Sequence, residues 1–86
     1  MDMINEEINR LKTRLDELKS RIIPDLESKS ELLYARIMPM RKDSHEREKL
    51  EKEYTLLSKE LTKRSNEIIN IRRDMENLEF ERSLKR

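Results

Sequence analysis

Cysteine and glycine are both absent from the 86 residues, proline occurs twice, and Tyr34, Tyr54 and Phe80 are the only aromatics. Each shortage removes a class of protein. Without cysteine there is no disulfide framework and no thiolate metal site, which is compatible with a reducing compartment. Without glycine there is no backbone loop of the kind that cradles phosphates. Three aromatics are few for a compact core, and at this length a single small core seldom yields more than about 3–5 kcal/mol. The balance of 20 Lys+Arg against 19 Asp+Glu gives a net charge of +1, so no strong field draws nucleic acid or anionic lipid. No apolar run approaches the roughly 20 residues that cross a bilayer. The opening MDMINEEINRLK lacks the basic-then-apolar layout of a signal peptide. An intracellular chain, cytoplasmic or nuclear, without membrane insertion, is the expectation.

What the chain does contain is charge, 45% of its residues, laced with a regular apolar period. In the first stretch the apolar positions are Met1, Ile4, Ile8, Leu11, Leu15, Leu18 and Ile22. In the second they are Leu50, Tyr54, Leu57, Leu61, Ile68, Ile71, Met75 and Leu78, with Arg64 standing in the same series. Alternating steps of three and four average about 3.5 residues, which keeps one narrow stripe facing a partner helix. A disordered polyelectrolyte shows no such period. The stripe cannot be satisfied on an isolated helix in water, so it predicts an all-α coiled coil: long helices forming an antiparallel helical hairpin or a rod-like dimer, self-associating.

Three segments follow. Residues 1–23 are a first heptad helix whose flanks lean basic through Lys12, Arg14, Lys19 and Arg21. Residues 24–44 are a proline-interrupted amphipathic segment and turn. Pro24 breaks the phase, Leu26, Leu33, Ile37 and Met40 form a shifted stripe with Ser30 in its seam, and Pro39 precedes a polar run. Asp43 or Ser44 offers an N-cap. Residues 45–86 are a second heptad helix with an unbroken acidic flank at Glu53, Glu60, Glu67, Asp74 and Glu81. Folded back, each arm spans about 60 Å; unfolded into one rod the helix spans about 130 Å. Antiparallel pairing sets Arg14 and Arg21 near that acidic flank, by Asp74 and Glu67, although Glu7 then approaches Glu81 and Lys12 approaches Arg72.

Candidate chemistry is sparse. His45 is the only histidine, and a metal site needs several converging ligands, so it reads as a solvated turn residue and no metal or cofactor is expected. Adjacent carboxylates such as Glu6–Glu7 and Asp16–Glu17 need a cleft that shifts their pKa before they do acid–base work; no enzyme and no small-molecule substrate are expected. Arg64 is the notable residue, a charge in an apolar seam. Either its stem packs while the guanidinium reaches Glu60 or Glu67, or it fixes register. Heptads around one central Arg resemble a SNARE motif, but the pattern is too common to carry that family.

Lys49, Lys52, Lys59, Lys63 and Arg73 line an outer face that interleaved Glu residues dilute, so nucleic acid is disfavoured. Leu56, Ile69, Phe80 and Leu84, with Ile23 and Leu32, lie off the seam. They widen the stripe toward what a bundle buries, or Leu56, Ile69 and Phe80 mark a patch for a partner. The function expected is a non-enzymatic oligomerisation or scaffold module of a larger assembly, a homodimer or tetramer that also contacts other helical proteins. The alternatives are an adaptor for a different helical partner and a chromatin- or nucleic-acid-associated factor.

Overall fold

A computed structural model describes residues 3–84. It is all-helical apart from one reversal, and it is an extended rod of 65 × 16 × 14 Å. The first arm comprises α1 (Met3–Glu17), a π-helical turn (Leu18–Ile22) and α2 (Ile23–Ile37). The second arm is one helix, α3 (His45–Leu84), of 40 residues. Forty residues at about 1.5 Å each account for most of the rod's length, so the two arms lie side by side.

Glu, Lys, Arg and Leu, all good helix formers, fill α3, and no Pro or Gly interrupts it. Thr55 Oγ1 and Thr62 Oγ1 donate to the carbonyls of Glu51 and Ser58 one turn back. Their hydroxyls are thereby satisfied within the helix instead of competing with it. The reversal over residues 38–44 is built without any positive φ among the described residues, so it needs no glycine. Met40 N–H bonds to the Ile37 carbonyl at 3.0 Å and Ser44 N–H to the Arg41 carbonyl at 3.1 Å. Ser44 Oγ accepts from Arg47 N–H at 3.4 Å and caps α3, as an N-cap serine does. Arg47 also ties the reversal to the helix, donating to the Met40 carbonyl at 2.6 Å and to Glu51 at 2.8 Å.

Beside the reversal, buried Leu33, Ile37 and Leu50 cluster with Met40, Tyr54 and Leu57. The Tyr34 and Tyr54 rings stand 5.9 Å apart and tilted, an arrangement aromatic pairs favour. Further along, Ile8, Leu18 and Ile71 are buried, and Leu18 is wholly so.

Pro24 does not end the first arm. The Ile23 N–H bonds to the Leu18 carbonyl, five residues back instead of four. Such a π-turn inserts one extra residue into a helix, and the seam demands one. Continuing the first spacing past Ile22 would put Asp25, Lys29, Leu32 and Arg36 in the seam, and all four are exposed. The residues that turn inward come one later: Leu26 is half-buried, and Ser30, Leu33 and Ile37 are buried. The π-turn therefore absorbs the one-residue phase offset and keeps the stripe aimed at α3. It also suits the proline, whose ring would crowd the Ser20 carbonyl in a regular α-helix. Ser20 Oγ donates to the Asp16 carbonyl at 2.6 Å, supplying a donor where the backbone pattern shifts.

Phase and proline are separable causes. Deleting Pro24 restores unbroken three-four alternation from Ile4 to Met40. The π-turn should then revert to α-helix and stability should rise by about 1–3 kcal/mol, up to the usual cost of an interior proline. Pro24→Ala leaves the phase offset in place and should retain the π-turn. Structures and thermal melts of the two variants check this; a Pro24→Ala chain with a regular α-helix would make the proline the sole cause.

Candidate interaction site

The seam positions of the two arms meet inside the chain. Of those in the first stretch, Ile8 and Leu18 are buried and Ile4, Leu11, Leu15 and Ile22 half-buried; Met1 lies outside the described residues. In α3, Leu50 and Ile71 are buried, while Tyr54, Leu57, Leu61, Arg64, Ile68, Met75 and Leu78 are half-buried. Most of these residues are half-buried, as a contact between two helices leaves them.

Midway along the rod the seam carries charge. Arg64 sits at the level of Ile22 and Leu26, lining a groove with Arg14, Arg21, Asp25 and Glu60. Its stem is in the seam, and its guanidinium reaches two carboxylates of its own helix: Glu60 at 2.7 Å and Glu67 at 3.1 Å. Glu67 in turn receives Arg14 from the first arm, Nε to Oε1 at 2.9 Å and a second nitrogen to Oε2 at 3.4 Å. Arg14 also touches Glu17 at 3.4 Å. The result is a chain of alternating charge, Glu17–Arg14–Glu67–Arg64–Glu60, with the Arg14–Glu67 fork crossing between arms. Forked arginine–carboxylate pairs fix geometry as well as charge. Arg14 stands on Glu67, one heptad from the Asp74 that charge pattern alone suggested. Near the far end, Arg82 donates to Asn5 at 2.6 Å, a second polar link between arms.

The ionisation equilibria follow this geometry. Arg14 beside Glu67, and Arg64 beside Glu67 and Glu60, hold their protons more tightly than a free guanidinium. The Glu67 carboxyl is pushed below its ordinary value, chiefly by the hydrogen bond from Arg14, with Arg64 adding to it against the opposing effect of burial. A general acid needs the opposite shift, so this is the signature of an ion pair.

The other candidate groups stand apart. His45 is fully exposed, 4.0 Å from Glu48, and among the described residues no three His, Asp or Glu side chains converge as metal ligands would. Glu7 pairs with Arg10 on its own helix, and Glu6 and Asp16 are exposed. One surface hollow is lined by Glu48, Glu51, Lys52, Thr55 and Leu56, all from one stretch of α3, so no second element brings a group to it. Among the described residues no helix is long and apolar enough to cross a membrane.

Leu56, Ile69 and Phe80 are exposed, but they do not make one patch. Leu56 precedes the seam residue Leu57, Ile69 follows the seam residue Ile68, and Phe80 lies on the outer side between them. A flat partner cannot reach both flanks. Heptad position alone marks such residues as off-seam; only their order relative to the seam says which flank they occupy.

No protein-family model matches the chain, and no curated protein or solved structure matches it.

Glu67 offers a test of the cross-arm link. A carboxyl with a depressed folded pKa contributes stability above its ordinary value of 4.5, and that contribution is lost as the pH falls through the lower folded value. Glu67→Gln should therefore lower the melting temperature by a few degrees at neutral pH. The gap from the parent chain should close as the pH is brought well below the ordinary carboxylate range. Melts of both proteins across that range check this; a gap independent of pH would mean that shape, not charge, is what Glu67 supplies.

Proposed function

We propose that the chain is a non-enzymatic coiled-coil scaffold module: an antiparallel helical hairpin that self-associates and holds attached chains at fixed spacing within a larger intracellular assembly. The observation that carries this reading is the division of apolar residues. The seam of each arm is covered by the other arm, while Leu32, Leu56, Ile69, Phe80 and Leu84 remain between 61% and 69% exposed. A narrow rod that leaves this many large apolar side chains in water is completed by another helical surface. The reversal capped by Ser44 and the Arg14–Glu67 fork support the hairpin over a continuous rod.

The exposed residues equally favour a second reading, an adaptor that docks a different helical protein. A nucleic-acid role has less behind it, because the basic residues of α3 alternate with glutamates and the net charge is +1.

Sedimentation equilibrium across the micromolar range tests self-association. A mass of two or four times 10.6 kDa is expected, and a monomer at every concentration would leave only the adaptor reading. Because the chain has no cysteine, Asp16→Cys with Arg72→Cys gives a clean pair of spin-label sites. Diluted with unlabelled protein, the labels should lie within about 20 Å, given helices 8–10 Å apart. A distance near 80 Å, about 56 residues of helix rise, would replace the hairpin with a rod.

A further inference from the structure

The two flanks of the rod differ. Residues that immediately precede seam positions lie on one flank of each arm, and the Arg14–Glu67 fork places those flanks on the same side of the molecule. On this side the first arm presents Arg10, Arg14, Arg21, Lys29 and Arg36 against Glu7, Glu17 and Asp25. α3 presents Glu53, Glu60, Glu67, Asp74 and Glu81 against Lys49 and Lys63. One half of this flank thus has a basic excess and the other an acidic excess.

The opposite flank, formed by residues that follow seam positions, has no such division. There α3 offers Thr55, Ser58, Thr62, Ser65 and Ile69 along its middle, and the first arm mixes Lys12, Asp16, Lys19, Glu27 and Glu31.

The flank of basic and acidic halves also carries exposed apolar residues. Leu32, at 69% exposed, precedes Leu33, and Leu56, at 66%, precedes Leu57. Leu33 and Leu57 belong to the same cluster, so Leu32 and Leu56 stand at one level of the rod. Met3 and Leu84, also exposed, lie at the other end on the same flank.

We propose that this flank is the surface on which a second copy of the chain docks, about a twofold axis parallel to the rod. The proposal rests on the self-association reading above and deepens it by naming the face and the symmetry. Such an axis lays the basic half of each copy on the acidic half of the other, antiparallel, with both reversals at the same end. An axis across the rod would lay basic on basic and acidic on acidic. Opposite charge therefore selects the first arrangement and disfavours the second. Leu32 of each copy then faces Leu56 of the other, and Met3 faces Leu84, giving the interface an apolar contact toward each end. Glu7, brought toward Glu81, is mismatched, and Glu17, Asp25, Lys49 and Lys63 dilute the two halves. A flank 65 Å long and 16 Å wide is large enough for the roughly 800 Å² that each partner buries in a standard stable interface. The product is a four-helix bundle with every neighbour antiparallel.

A single spin label at Asp43→Cys, in the reversal, reads the symmetry directly. The two labels of a dimer should lie about 20 Å apart, as expected of packed helices; a separation near the 65 Å rod length would overturn the parallel axis. Leu32→Glu and Leu56→Glu alter exposed residues, so helicity should persist while the dimer dissociation constant rises at least about tenfold, as for an interface anchor. Ile69→Glu, on the other flank, should leave it unchanged. A dimer weakened by Ile69→Glu and indifferent to the two leucine changes would move the interface to the opposite flank and sink the proposal. Should either leucine variant lose helicity, the label distance in the otherwise unaltered chain decides alone. A chain that stays monomeric throughout defeats the self-association reading itself, an outcome distinct from a dimer with the wrong symmetry or face.

Discussion

The apolar strip between the arms is narrow, and nearly everything beside it is charged. A strip of this kind tolerates no error of phase, because one residue of slip in a helix rotates a side chain by about 100° and sends it to water. The first arm contains such an error at its middle, one residue too many between Ile22 and Leu26. The π-turn over Leu18–Ile22 removes it by taking the extra residue into a wider turn. Leu18, at the start of that turn, is the one wholly buried large side chain among the described residues. The place where the backbone departs from α-helix is thus also a place of close packing, which a frayed or broken helix would not achieve.

The ionic layer lies at the same level. Arg64 faces the end of the π-turn, where the widened backbone and a long side chain share one stretch of the seam. Its partners are partly exposed, so each pair adds little stability by itself. Geometry is the larger effect. The Arg14–Glu67 fork can form only when the arms are aligned to within about a turn, and Arg64 holds Glu67 from the other side. An apolar seam is indifferent to slips of a whole heptad, whereas this chain of alternating charge is not.

Much of this was legible in the residues. The all-helical character follows from the apolar period, Ser44 is the cap, Pro39 lies in the reversal, and Arg64 reaches the two glutamates its spacing offers. Three things were not. Pro24 reads as a break, because proline ends most helices; that the break is only one residue wide shows in which neighbours turn inward, a fact of packing. The partner of Arg14 was placed at Asp74 because charge pattern fixes which flanks meet but not the register. Register depends on the length of the reversal and on the inserted residue. Leu56, Ile69 and Phe80 look like one patch when classed together as off-seam, and separate once the direction of each from the seam is known.

The phase offset has a consequence for the surface. Leu32 and Leu33 are adjacent, and a continuous heptad would have buried the first and exposed the second. The inserted residue reverses them, so a leucine is turned outward at the level where α3 exposes Leu56. A two-helix contact leaves each seam residue half open, and most of the seam here is half-buried. A second rod on that flank, as proposed above, would cover the open side of the seam and the outward leucines together. Its charges match only when each first arm lies on the partner's α3. In that proposed arrangement the extra residue near Pro24 would serve twice, keeping the seam of the first arm in phase and turning Leu32 toward the second copy.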